Sequence, residues 1–396
     1  MIILSNDYTS NTPSSRIKSQ GGPAAFAKIF SRYVTARGHQ WVGIIEKTDT
    51  RKVFRHQKKE YSKKRTYVEV RYNRKYITHI TKATKNIDPC EVLSPRIIHL
   101  AKVIRSISPD IIFLNGFSLS SWVLMMAGHM AGIPIVMQHA GIWGKEIKMY
   151  SDWFPSAARK ILYEMERDIS RFADHEIFLN KRSWQAYNES VAQVGAHRAT
   201  VIPLPYASFV YHEKKRKKDA YDIGIVARWD RIKNHEAFLR VAKKAHEKKM
   251  PWTFHAVTSI PDTSTKKKFK DEYRKFISVK KPMDRKGITR FYKKMDLMIL
   301  PSHFDVSPFV VIEAAMEGTT TLISPNVGHA DEYKKAGAQK WVIDFSDVAA
   351  VVRRIQKIIS TAPPKKLIRS FEKLHNPERV CSQYLQLFTT VLNQKK

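Results

Sequence analysis

Short, wholly apolar runs separated by segments of helical period restrict this chain more than any other feature. A strand apolar on both faces must be covered on both faces, which points to a parallel sheet between layers of helix. MIILS, WVGII, DIIFLN, PIVMQH and HEIFL are such runs in the first half. Gly21-Gly22-Pro23 opens a helix, and Phe26, Ile29, Phe30, Tyr33 and Val34 keep helical spacing until Arg37-Gly38-His39 stops it. The rhythm halts at the polar run from His212 to Asp219. It restarts with YDIGIVA, WTFHAV, DLMILP and TTLIS, with helices between them. Two doubly wound α/β units follow: residues 1–203 and residues 204–376. A ligand cleft is expected where the carboxyl ends of their strands face each other. The amphipathic tail, with Val380, Tyr384, Leu385, Leu387 and Phe388, predicts a helix over 377–396 that packs back on the first unit.

Composition narrows the class. Only Cys90 and Cys381 occur in 396 residues, which excludes a disulfide framework and speaks against a cysteine zinc site. The segment from Ile111 to Gln138 is apolar but broken by Asn115, three serines, His129 and Pro134, so it reads as strand, helix and strand rather than a membrane span. The start, MIILSNDY, has no basic region ahead of an apolar one, so no secretory signal is expected there. Lysine and arginine total 70 against 36 acidic residues, a net charge of +34. Such an excess draws polyanions: phosphorylated substrates, an anionic membrane face or nucleic acid.

Two segments carry possible chemistry. In Asp305-Val306-Ser307-Pro308-Phe309-Val310-Val311-Ile312-Glu313, a loop after a strand leads into a helix that Ser307 can cap, with Pro308 at its first position. The free N–H groups of such a helix start favour an anion. Glu313 stands in an apolar run, where a carboxylate either has a partner, such as the vicinal hydroxyls of a ribose, or lies on the exposed stripe. In Ala227-Arg228-Trp229-Asp230-Arg231-Ile232-Lys233, two cations five residues apart follow another strand. They suit a diphosphate, or they are surface charge in a basic chain.

Together the two segments resemble the second domain of GT-B glycosyltransferases, most closely the retaining family four type (glycosyl transferases group 1). The motif A-R-W-x-x-x-K and the pair Asp305 and Glu313, eight positions apart, carry the likeness. So do the Gly21-Gly22-Pro23 loop, Gln138-His139-Ala140-Gly141 after an inner strand, and the ending from Asn376 to Leu385. The sequence departs from the family at Asp305, where Glu is usual, and at Ala227, where Gly is usual.

The resemblance implies a GT-B fold of two Rossmann-like domains facing each other across a cleft. It implies that Glu313 binds the donor ribose, that Asp305 contacts the transferred sugar, and that Arg228 and Lys233 hold the diphosphate. Ser307, Pro308 and Phe309 would present the helix start to the phosphates, Gly21 and Gly22 would approach them from the first domain, and His139 would lie near the reacting sugar. Catalytic roles fall to Asp305, His139, Arg228 and Lys233. No Asp-x-Asp signature stands in a metal-binding context, so no metal and no cofactor are expected, the nucleotide sugar being substrate.

The expected reaction is retaining transfer from a nucleotide-diphosphate sugar, UDP favoured over GDP, to a saccharide or lipid-linked acceptor, in cell-surface glycan synthesis. The base is expected near Val279 to Met283. The basic tract from Arg51 to Lys85, interleaved with Tyr61, Tyr67, Tyr72 and Tyr76, either seats a cytoplasmic enzyme on the inner, anionic membrane face or is a solvated charged surface. A second basic tract runs from Lys266 to Lys286. Specific nucleic-acid recognition is not expected. The competing readings are a nucleotide-sugar epimerase or hydrolase, and a basic membrane- or nucleic-acid-binding protein on a degenerate GT-B scaffold.

Overall fold

The structure, a computed structural model, describes residues 1–6, 22–49, 55–62, 64–150, 153–206, 211–212, 219–260, 267, 269 and 271–395. They form two compact units, the first ending at Pro205 and rejoined by the chain from Pro377, the second spanning Tyr206–Asn376.

The first unit holds strands β1 (Ile2–Asn6), β2 (Gln40–Asp49), β3 (Arg55–Ser62), β4 (Arg65–Asn73), β5 (Ile111–Asn115), β6 (Ile135–His139), β7 (His175–Phe178) and β8 (Ala199–Val201). They lie in the order β3-β4-β2-β1-β5-β6-β7-β8, and all pair in parallel except β3, which runs antiparallel to β4. Strands β5, β6 and β7 are buried throughout, as the unbroken apolar runs require. Helices Pro89–Ile107, Leu119–Ala131 and Ser156–Phe172 cover one face with Leu100, Trp122, Met125 and Met165.

The stretch from Ile111 to Gln138 is β5, a helix and β6. Ser118 and Ser121 cap the helix start reciprocally, and Gly132 closes its end at φ 72°, a backbone state that favours glycine. Among the described residues, no helix is long and apolar enough to cross a membrane.

A buried polar relay ties the strand ends of this unit together. The Asn115 backbone N–H donates to Asn6 Oδ1 at 2.8 Å, and Asn115 Nδ2 donates to the Pro23 carbonyl at 2.8 Å. Gln138 Nε2 donates to Asn115 Oδ1 at 2.9 Å, and the Tyr384 hydroxyl donates to Gln138 Oε1 at 2.5 Å. Tyr384 belongs to the closing helix Pro377–Gln394, whose Val380, Tyr384, Phe388 and Val391 are buried. The Tyr384 ring lies 5.0 Å from Phe26 and 5.3 Å from Phe30. The tail thus finishes the core of the first unit.

The second unit holds β9 (Tyr221–Val226), β10 (Trp252–Val257), β11 (Ile277–Lys280), β12 (Leu297–Leu300) and β13 (Thr320–Ile323), all parallel, in the order β11-β10-β9-β12-β13. Chain progress runs outward from β9 in one direction, then reverses and starts again at β12. The loops after β9 and β12 leave the sheet in opposite directions and open a crevice at the strands' carboxyl ends.

Two local expectations are corrected. The segment from Arg65 to Asn73, read as part of a basic tract, is β4, with Tyr67, Val68, Val70 and Tyr72 buried. Tyr67 and Tyr72 therefore serve the core and offer no stacking surface to a nucleic acid. The helix after β12 is Phe309–Met316, with Pro308 at the cap position in an extended state (φ −72°, ψ 116°) and no side chain capping it. Ser307 lies one residue too early to cap, because Pro308 itself has not yet turned into helix.

Tyr384→Phe deletes a donor from a buried relay and leaves Gln138 Oε1 short of its bond. The variant is expected to lose about 1–3 kcal/mol of stability, read as a lower urea midpoint in the transition of the first unit.

Candidate active site

The segment after β9 builds the first wall of the crevice. Ala227, Arg228, Trp229 and Asp230 lead into a single 3-10 turn, Arg231–Lys233. Asp230 is buried and accepts from the Ile232 N–H at 3.0 Å, which fixes the turn. Trp229 stacks on His235 at 4.6 Å and 10° between planes, and His235 Nε2–H donates to the Arg228 carbonyl at 2.8 Å. Burial pushes His235 down to about 4, so the imidazole is neutral at physiological pH. The Arg228 guanidinium is 78% exposed, 3.5 Å from the Asp230 carboxylate. Its backbone is held while its charge is presented.

The segment after β12 builds the second wall. The Asp305 carbonyl accepts from the Gly328 N–H at 2.8 Å, and Asp305 pairs with Val327 as an isolated bridge. Lys233 Nζ donates to Asp305 Oδ2 at 2.5 Å, with both side chains mostly buried. Ser307, Pro308 and Phe309 follow, and the uncapped start of the helix Phe309–Met316 leaves N–H groups without a side-chain acceptor.

Glu313 faces a different neighbour. Tyr292, fully buried in the helix Arg285–Lys294, donates to Glu313 Oε2 at 2.8 Å. Glu313 lines a pocket of about 160 Å³ with Tyr206, Arg285, Thr289, Tyr292 and Glu317. Burial raises its carboxyl above the ordinary range, and the Tyr292 hydroxyl and the Arg285 cation pull it partly back. Hydroxyl donors of a ligand would meet an acceptor already short of water.

The remaining expected residues fall elsewhere. Gly21 lies outside the described residues, and Gly22 is the first residue of the helix Gly22–Ala36 in the first unit. His139 ends β6 and is fully buried. Its Nε2 lies 2.7 Å from Glu176 Oε2, and its ring stacks on Phe178 at 4.6 Å. That is the setting of a core histidine, which presents no atom to a substrate. The segment from Val279 to Met283 covers the end of β11 and the loop leading to Asp284, the cap of the helix Arg285–Lys294.

Sequence reasoning missed Tyr206, Arg285 and Tyr292. Nothing in RFYKK distinguishes Tyr292 from any helical tyrosine. Its role arises only because two helices place it against Glu313.

The profile of the family described as "Glycosyl transferases group 1" matches residues 209–373. No curated protein matches the chain in sequence. Solved structures match over nearly the full length. A sucrose-phosphate synthase from Thermosynechococcus elongatus is 16% identical with a TM-score of 0.75, covering 99% of each chain. An α,α-trehalose-phosphate synthase (UDP-forming) from Burkholderia xenovorans, in complex with glucose-6-phosphate, is 14% identical with a TM-score of 0.71, covering 98% of this chain and 99% of that one. A structure described as trehalose-6-phosphate from E. coli bound with UDP-2-fluoro glucose is 13% identical with a TM-score of 0.68, covering 98% of both. At these identities the likeness speaks for the fold, which is GT-B.

The raised carboxyl of Glu313 has a consequence for stability. The folded chain holds this proton to higher pH than the unfolded chain does, so folding loses stability as pH rises through the Glu313 value. Glu313→Gln keeps an acceptor for Tyr292 and removes the charge. The variant is expected to show a higher urea midpoint than the parent at pH 8, with the difference vanishing near pH 4.

Proposed function

From a chain with the GT-B fold whose second unit matches the group 1 glycosyl transferase profile, we propose retaining transfer from a UDP-sugar to an anionic saccharide acceptor. The observation that carries this reading is the pair of loops at the strand-order reversal. One presents the exposed Arg228 and the mostly buried Lys233, and the other an uncapped helix start ahead of Glu313. A nucleoside diphosphate needs fixed positive charge for its phosphates and acceptors for its ribose hydroxyls. Arg228 and Lys233 meet the former need and Glu313 the latter.

The reaction follows from charge. The bond from the anomeric carbon to the phosphate oxygen breaks, the sugar passes through an oxocarbenium-like state, and negative charge grows on the departing UDP. Arg228, Lys233 and the N–H groups following Pro308 stabilise that growth. The acceptor hydroxyl attacks from the face the diphosphate leaves, and its proton passes to the departing phosphate oxygen, so configuration is retained. Asp305 positions the donor sugar. Until donor binds, it also neutralises Lys233, so the diphosphate and Asp305 compete for one ammonium.

UDP is favoured because two of the similar structures carry UDP in their descriptions. The acceptor is assigned an anionic character on two grounds: the net charge of +34, and the sugar phosphates named in those same relatives. A phosphorylated or lipid-phosphate-linked saccharide fits both, and a lipid-linked acceptor would bring the enzyme to the inner membrane face for surface glycan synthesis. Donor binding falls to the unit spanning Tyr206–Asn376, and the acceptor side to the first unit, which the chain rejoins from Pro377. No metal is assigned to the transfer step, since cationic side chains and a helix start supply the charge.

Lys233→Ala and Arg228→Ala are each expected to lower kcat/KM for the donor by about a hundred- to a thousandfold, while circular dichroism stays at the parent signal. Proton NMR of the first product formed is expected to show the donor's anomeric configuration. An inverted product removes the same-face mechanism. Full activity in both variants removes the donor site.

A further inference from the structure

The second unit holds a cluster that the transfer reaction does not use. His329 follows β13 and stands at the cap position of the helix Ala330–Lys335, and Glu332 lies in the first turn of that helix. Residues three apart on a helical turn share one face. His375 terminates a separate helix, Lys365–Leu374. The fold brings all three to one point. His329 Nδ1 lies 2.7 Å from Glu332 Oε2, and His375 Nε2 lies 3.9 Å from the same oxygen. One ligand atom from each residue lies within 4.8 Å of the other two.

We propose that His329, Glu332 and His375 form a structural site for one zinc-type transition-metal ion. The donor set is two imidazoles and one carboxylate. Such nitrogen-rich sets select zinc and its neighbours, whereas magnesium and calcium take oxygen donors. In a tetrahedral zinc site with bonds near 2.1 Å, ligand atoms stand about 3.4 Å apart. The spacings of 2.7 and 3.9 Å bracket that value, so small side-chain rotations reach it. Three protein ligands leave one position for water.

Burial argues the same way. The side chains of His329 and His375 are 3% and 1% exposed, and Phe371 packs 5.5 Å from the His329 ring and 6.1 Å from the His375 ring. Two imidazoles converging on one carboxylate oxygen in apolar surroundings form an expensive group when that oxygen must serve both. A cation at their meeting point satisfies all three ligands at once. Gly328, immediately before His329, donates to the Asp305 carbonyl at 2.8 Å. A metal that pins His329 to the helix Lys365–Leu374 therefore steadies the loop that carries Asp305. The role is structural, it is independent of the proposed transfer chemistry, and the ion touches no substrate.

The test uses the full chain, untagged and dialysed free of metal. Cobalt(II) titration of the parent is expected to give the visible absorption of a tetrahedral site, saturating at one equivalent and bleached by zinc. Zinc is also expected to raise the parent's Tm. His375→Ala and Glu332→Gln are each expected to weaken zinc by roughly tenfold or more, with His246→Ala, an exposed histidine elsewhere in the unit, unchanged. A parent that shows no saturable cobalt band, or a band of unchanged affinity in both ligand variants, overturns the proposal. Should either variant fail to fold, the parent spectrum and its zinc-dependent Tm decide the matter alone.

Discussion

The reversal of strand order between β9 and β12 is the constraint on which the second unit depends. Parallel strands must be joined by crossovers, and crossovers on opposite sides of the sheet leave the loops after those two strands without helix above them. Arg228 and Lys233 sit on one of these loops and Asp305 on the other. Their meeting is a property of topology. Seventy-two residues separate Lys233 from Asp305, yet the ammonium and the carboxylate are 2.5 Å apart.

Charge in this unit is arranged in degrees of commitment. Arg228 is nearly free, with its backbone locked by the Trp229 and His235 stack while its guanidinium faces water. Lys233 is tied to an acid that a diphosphate can displace. Glu313 lines a pocket largely shut off from water, and a carboxylate held there with a single hydroxyl donor is less stable than a neutral side chain would be. A fold tolerates such a group when a ligand completes its hydrogen bonding. His329, Glu332 and His375 pose the same question for a cation, and the answer proposed for them is a metal rather than a sugar.

Some features were legible because they are local. The apolar runs became β1, β2, β5, β6, β7, β9, β10, β12 and β13, since a strand covered on both faces needs no partner to reveal itself. The broken apolar stretch before Gln138 became strand, helix and strand because Ser118 and Gly132 mark the helix ends. Other features were hidden. RTYVEVRYN looked like a basic surface, yet Tyr67 to Val70 and Tyr72 are buried once β2 and β3 flank it. ISVK at β11 is too short and too polar to announce a strand, and pairing with β10 makes it one. His139 stands in a motif that points to chemistry, but Glu176 and Phe178 enclose it.

What the amino-acid order determined alone was the α/β class, the restart of the fold after Asp219, and the identity of the two segments that bear charged groups after strands. Those follow from periodicity, turn residues and the chemistry of single side chains, all of which act over a few positions. Only the tertiary structure decided that Lys233 pairs with Asp305, that Tyr292 rather than an exposed stripe meets Glu313, and that two histidines from different helices share one carboxylate. Each of those is a contact between distant segments, and such contacts arise from how sheets and helices stack, which no local pattern encodes.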